Sequence, residues 1–381
     1  MRRVKGQESR VESQKAKAEV ILRTSPSPLH TPPSRSAITL VELLVTIVII
    51  SILAGLVLGV AALAGETARE AHTQHVVERL HNLLMEHYDT YKTRRVKLRQ
   101  VVLDEINSDT SLTQSEKGKA IAEARLYAMR ELVMMEVPDR WSDILLTDVP
   151  ASPFTTTIKY PIYLDVSGSP ANVRRTALTA TYLRRYRQIA VRAGADGETI
   201  TDNQGAECLY MIITLATGDG EARSMFGESS IGDTDGDGAP EFLDGWERPI
   251  NFLRWAPGFD SQIQINANNF DGPNDTAWKT AAAGDHDPFD IFRVDPAAYR
   301  LVPLIFSAGR DETFGIRLVK PHVAWVGVSN ANASFNASKP PVLNPYQEVL
   351  DTDDNTKWYL GTDNGEKEST DNIHNHLLGQ R

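Results

Sequence analysis

One carboxylate stands near the start of a segment that is otherwise apolar enough for a membrane. Glu42 follows Ile38-Thr39-Leu40-Val41, and from Leu43 the chain runs almost without interruption through Leu, Val, Ile, Ala and Gly to Ala64. Residues 38–64 would make ~40 Å of helix at 1.5 Å per residue, and roughly 20 apolar residues already span a bilayer. A charge inside hydrocarbon is costly unless paired, so an intramembrane acid points to function. Ahead of it, Arg2, Arg3, Lys5, Arg10, Lys15, Lys17, Arg23 and Arg35 outweigh Glu8, Glu12 and Glu19. By the positive-inside rule this asymmetry predicts a single pass with the N-terminus in the cytoplasm and the remainder outside the inner membrane. A cleaved secretory signal is the bland alternative, but its apolar core would be ~7–15 residues long and end in a small-residue site, unlike this run.

Ala37, Ile38 and the segment Thr39-Leu40-Val41-Glu42 resemble the N-terminal signature of type IV prepilins and of the pseudopilins of type II secretion systems. The resemblance implies cleavage after Ala37 by a prepilin peptidase, methylation of the new amine at Ile38 by the same enzyme, and assembly with other pilin or pseudopilin subunits. Glu42 would then lie beside the amine of a neighbouring subunit, where a paired charge in hydrocarbon costs far less than a lone one. Two departures stand out, since the family usually has Gly where Ala37 stands and Phe where Ile38 stands. The leader is long, with Pro26, Pro28, Pro32 and Pro33 keeping it extended. Without processing, the segment would be a plain signal anchor whose Glu42 snorkels to the interface.

The formal net charge of −10 arises despite the basic leader, so the part outside the membrane is more acidic still. That balance argues against a nucleic-acid partner and suits divalent cations. Cys208 is the one cysteine, which rules out an intramolecular disulfide, and its setting in Glu207-Cys208-Leu209-Tyr210-Met211-Ile212-Ile213 reads as core.

Beyond Ala64 the apolar positions Val76, Val77, Leu80, Leu83, Leu84, His87, Tyr88 and Tyr91 recur at helical spacing, which predicts an amphipathic extension over residues 65–95. It resembles the second half of the pilin spine helix. His72, His75, His81 and His87 have no consistent carboxylate partner and read as a solvated helix with some stripe contacts. Residues 96–230 read as a mainly helical insertion. Thr113-Gln114-Ser115-Glu116 forms a capping-box pattern that opens a helix running toward Met135 and stopped by Pro138. Residues 171–190 are a further helical candidate with a solvated basic face, and residues 155–164 alternate weakly as a strand.

The most specific pattern after the helix is Asp233-Thr234-Asp235-Gly236-Asp237-Gly238-Ala239-Pro240-Glu241, closing at Asp244. Calcium takes six to eight oxygens, and a twelve-residue loop supplies them from positions 1, 3, 5, 7, 9 and 12 around a glycine turn at position 6. Asp233, Asp235, Asp237, the Ala239 carbonyl, Glu241 and Asp244 fall on those positions, so calcium is the expected structural cofactor. The loop is similar to those of dockerin and thrombospondin type 3 repeats; an acidic solvated turn is the alternative.

Asp244-Gly245-Trp246-Glu247-Arg248-Pro249 and Ser307-Ala308-Gly309-Arg310-Asp311-Glu312 resemble the Asp-x-Trp-Gly-x-Pro and Ser-x-Gly-x-Asp-Gly segments of the major type II pseudopilins, with Glu247 and Glu312 where that family has Gly. Residues 231–350 are therefore expected to hold a pseudopilin-like sheet, with strands near 249–253 and 299–306, and Asp311 is a further ligand candidate. Residues 285–295 read as a solvated surface loop. Residues 351–381, which include His374-Asn375-His376, read as a mobile polar tail. The expected fold class is α+β: a long N-terminal spine helix, transmembrane and then amphipathic, packed on a head with a small antiparallel sheet and a helical insertion. The expected role is a structural subunit, an atypical pseudopilin or minor pilin. The alternatives are a signal-anchored calcium-binding protein or adhesin that does not polymerise, and an anchored enzyme, for which no nucleophile, base and orienting acid occur together in a recognisable spacing.

Overall fold

The computed structural model describes residues 39–145, 149–150, 157–158, 161–166, 175–193, 202–216, 221–318, 328–329, 342–350, 356–364 and 371–377. The leader and the expected processing pair Ala37 and Ile38 lie outside the described residues. The chain divides into two compact units between Val60 and Ala61.

Helix α1 (Leu40–Asp89) is continuous for 50 residues. Its C-terminal half buries Thr73, Val76, Val77, Leu80, Leu84 and Tyr88 at the predicted helical spacing, and Tyr91 in the following 3-10 turn continues the stripe. Each fully buried side chain of this kind contributes about 1.5–3 kcal/mol relative to exposure. The spine ends where Arg94 turns extended. Its guanidinium grips both carboxylate oxygens of Glu136, and the Tyr91 hydroxyl donates to the same group at 2.9 Å, pinning the end of α1 to the end of a second long helix.

Helices α2 (Gln100–Ser108) and α3 (Gln114–Glu136) follow. The start of α3 is a complete capping box: the Thr113 hydroxyl accepts from the Glu116 amide at 3.3 Å, and the Glu116 carboxylate accepts from the Thr113 amide at 2.7 Å. Val137 ends it, because the residue before Pro138 is pushed out of the helical region. After α4 (Trp141–Leu145) and α5 (Ala177–Ala193), helix α6 (Gln204–Leu215) buries Cys208, Leu209, Ile212 and Ile213. The short α7 (Glu221–Ser224) and α8 (Thr276–Gly284) complete the helices among the described residues.

The strands are short. β1 (Val149–Pro150) pairs with β2 (Thr157–Ile158), β3 (Ile231–Gly232) with β4 (Glu241–Phe242), β7 (Val328–Ser329) with β8 (Val342–Leu343), and β9 (Val349–Leu350) with β10 (Lys357–Trp358), all antiparallel. The main sheet has the order β11-β6-β5, with β5 (Asn251–Leu253), β6 (Leu304–Ser307) and β11 (Ile373–His374) antiparallel to their neighbours. Its strands alternate between two cores. Phe252 and Ile305 join the large cluster with α1, α3 and α6, whereas Leu253, Leu304 and Phe306 join a second cluster with Ala256, Phe259 and Ile316. The period of two along a strand puts neighbouring residues on opposite faces, and both faces are covered.

Two expectations are corrected here. The C-terminal region is no polar tail at residues 371–377. It supplies the edge strand β11, and Asn375 acts as a false strand residue, its side chain accepting from Ile305 N at 2.8 Å and donating to Pro303 O at 2.8 Å. Residues 285–295 are solvated only in part, at Ile291, Phe292 and Arg293. Asp287 and Asp290 are buried, and the loop wraps the buried Arg130, which lies 3.2 Å from Asp295 and 3.7 Å from Asp287. Among the described residues of the strand expected over 155–164 are β2 and an isolated bridge from Leu164 to Leu98.

Candidate functional site

Thr39, the first described residue, caps α1. Its hydroxyl accepts from the Glu42 amide at 3.2 Å, while Glu42 Oε2 accepts from the Thr39 amide at 2.9 Å and its hydroxyl at 3.0 Å. This reciprocal pair satisfies donors that a helix start leaves open, and a carboxylate in the first turn also suits the helix dipole. Thr46 and Ser51 return their hydroxyls to Leu43 O and Ile47 O, each at 2.8 Å. Large apolar side chains from Leu40 to Leu63 are all exposed, by 79% at Leu40 and 70% at Leu63. The helix is long and apolar enough to cross a membrane, with mean hydropathy 3.0 in its best window.

In the head, the two expected pseudopilin-like segments meet. Asp244 Oδ1 accepts from Trp246 N at 2.8 Å and Arg248 N at 3.0 Å, and Oδ2 accepts from Ser307 Oγ at 2.6 Å. Ser307 Oγ in turn accepts from Gly309 N at 3.0 Å. Glu247 and Glu312 both have positive φ, 63° and 73°, so the turns keep the left-handed backbone although neither residue is glycine. The Arg248 guanidinium, 2.6 Å from the Glu312 carboxylate, bridges them. This double turn rests on α1: Gly245 N donates to Thr73 Oγ1 at 2.8 Å, and a Cβ at Gly245 would come within 2.4 Å of Arg69 O. Trp246 donates its indole N–H to Glu66 at 3.2 Å, so it is more than a packing residue.

The acidic segment is the loop of the β3–β4 hairpin. Asp233 closes its turn, Oδ1 accepting from Gly236 N at 2.8 Å and Oδ2 from Gly238 N at 3.0 Å, and both glycines have positive φ. Asp237 is buried and accepts from Ala239 N at 2.7 Å, while Ala239 itself is buried. Glu241 accepts from Thr234 N at 3.1 Å and from the Thr234 hydroxyl at 3.2 Å. Asp233, Asp235 and Asp237 each place an oxygen within 4.8 Å of the others, as do Glu207, Asp235 and Glu241. Asp244 is not in either group, because the double turn uses its oxygens. Asp311 lies apart and exposed, accepting from Thr313 N at 3.0 Å. The sequence reading missed Glu207; the signal was a lone carboxylate in the apolar run of α6.

The model of the prokaryotic N-terminal methylation motif matches residues 33–58. The chain carries a type IV prepilin-type signature. That prepilin-type match covers the basic-to-apolar junction and the first half of the exposed helix, and the capped Glu42 lies inside it. A prepilin-type signal and a long apolar helix fit a membrane-anchored protein, and the motif implies processing by a prepilin peptidase and assembly with pilin-type subunits. No curated protein and no solved structure shows significant similarity to this chain.

Proposed function

We propose that this protein is a structural subunit of a type II secretion or type IV pilus filament, as an atypical pseudopilin or minor pilin. Before assembly it is anchored in the inner membrane by residues 38–64, with the N-terminus cytoplasmic and the head extracytoplasmic. The observation that carries this reading is the methylation motif over residues 33–58 on a helix whose large apolar side chains from Leu40 to Leu63 are all exposed. An apolar helix of this length with one carboxylate suits lipid before assembly and neighbouring helices afterwards. The large helical region within residues 96–230 favours a low-copy or terminal position, where bulk outside the filament core is easily accommodated.

The N-terminal peptide of the mature protein tests this directly. Mass spectrometry is expected to find Ile38 at the N-terminus with a methylated amine. An intact Met1 leader in the native membrane would overturn the reading in favour of an anchored, non-polymerising protein, for which the acidic hairpin gives the chemistry of a calcium-dependent binder. Glu42→Ala is expected to insert normally, since the helix becomes more apolar, yet to join filaments at least tenfold less often than wild type in mixed expression. Equal incorporation of mutant and wild type would exclude a pairing role for Glu42.

A further inference from the structure

We propose that Glu207, Asp235, Asp237 and Glu241 form a calcium site that clamps the β3–β4 hairpin to α6, with Glu207 taking the place that spacing along the loop assigns to Asp244. The site is thus built from two elements and not from one loop.

Two buried carboxylates carry unmet oxygens. Glu207 is 1% exposed, and its Oε1 has no hydrogen-bond partner; Asp237 is 5% exposed, and its Oδ2 has none either. The two carboxylates face each other, and acceptors alone cannot satisfy one another. A buried acceptor pair of this kind needs either a proton or a cation between its members. The neutral donors present are few. Trp141 donates its indole N–H to Glu207 Oε2, Thr234 serves Glu241, and the Asn203 amide reaches Asp235 at 3.3 Å and Glu241 at 3.5 Å. Among the described residues no Arg or Lys forms an ion pair with any of the four acids.

The spacing admits one shared cation. Oxygens of Glu207, Asp235 and Glu241 lie within 4.8 Å of one another, and ligands about 2.4 Å from a common calcium can be at most about 4.8 Å apart. All donors are oxygen, which suits calcium and not the softer transition metals. Glu207 lies on the helix that packs against β4 and β5, so a bound ion would tie the hairpin to the centre of the head.

The test uses the full-length protein in detergent micelles after chelator treatment. Terbium, a calcium substitute, is titrated while tryptophan is excited; Trp141, hydrogen-bonded to Glu207, is the indole donor at the site. The expected result is saturable sensitised emission that calcium displaces, together with a rise of ~5 °C in the head's melting midpoint at calcium about 100 times its Kd. Trp141→Phe is expected to lose most of the emission but keep the calcium-dependent melting shift. Glu207→Gln is expected to weaken calcium at least tenfold while melting in chelator no lower than wild type, since its amide supplies the donor that Asp237 lacks. If that variant does not fold, Asp235→Asn, at the half-exposed rim, is expected to show the same loss of affinity. Asp311→Asn is expected to bind as wild type. Wild-type melting that is identical in calcium and chelator, or wild-type affinity in the Glu207 or Asp235 variant, would overturn the proposal.

Discussion

The first half of α1 and the head meet their polar needs in opposite ways. From Thr39 to Leu63 the polar contacts are local: Glu42 with Thr39, and the hydroxyls of Thr46 and Ser51 with carbonyls three or four residues back. From Thr73 onward the important contacts are long-range. Thr73 reaches Gly245, Tyr91 reaches Glu136, and the buried Arg254 reaches Asp143 at 2.7 Å and the Val137 carbonyl at 2.9 Å. A segment that meets its own polar needs can exchange lipid for protein neighbours without breaking anything, whereas the head depends on partners distant in sequence.

The strongest challenge to this contrast is Arg254→Met. Arg254 lies between Asp139 and Asp143, both buried; burial alone would raise the Asp139 carboxyl, but Arg254 and Arg140 hold it down at about 2. Removing the cation strands the buried Asp143 and leaves Asp139 with Arg140 alone, so urea denaturation is expected to show a loss of about 3–5 kcal/mol. Slightly smaller is the effect of truncating the spine. Leu80→Ala, at a fully buried position, is expected to cost about 2–5 kcal/mol, whereas Leu56→Ala in the exposed half should shift head stability by less than about 0.5 kcal/mol. Equal losses at the two positions would break the comparison.

Acid sharpens it further. Burial lowers His374 to about 4 and His376 to about 3, against 6.5 for the free side chain. The unfolded chain therefore binds more protons between those values, and the stabilisation, complete above pH 6.5, is lost as pH falls through the window at about 1.4 kcal/mol per unit per histidine. Glu131 and Glu241, both raised to about 7, act in the other direction, so the reading is the difference between wild type and a His374→Gln, His376→Gln double variant. A steeper loss in wild type between pH 6.5 and 5 is expected. The smallest effect is at the helix start: Thr39→Ala should cost about 1 kcal/mol, confined to faster amide exchange in the first turn of α1, with head melting unchanged.

What the sequence disclosed follows the same division. α1 and α3 were legible because their signals are local: an apolar run, a stripe at helical spacing, Thr113 with Glu116, and Pro138 as a stop. The two-residue strands were not, since β11 pairs with β6 across more than sixty residues and its polar flank, His374-Asn375-His376, is hidden only by tertiary partners. At the acidic hairpin, spacing found Asp233, Asp235, Asp237 and Glu241 but assigned Asp244 by position alone. It could not know that a serine more than sixty residues later engages that side chain, or that α6 brings Glu207 to the loop.

Cys208 has a practical consequence for this chain. It is the single cysteine of the sequence, fully buried in α6, and burial raises its thiol well above the usual range, so it stays protonated and shielded from alkylating reagents. A cysteine introduced at any exposed position between Leu40 and Leu63 would therefore be the sole reactive thiol in the native protein. Bifunctional maleimides or copper-catalysed oxidation could then record which positions of this helix adjoin a neighbour in the proposed assembly, residue by residue, with no background to subtract.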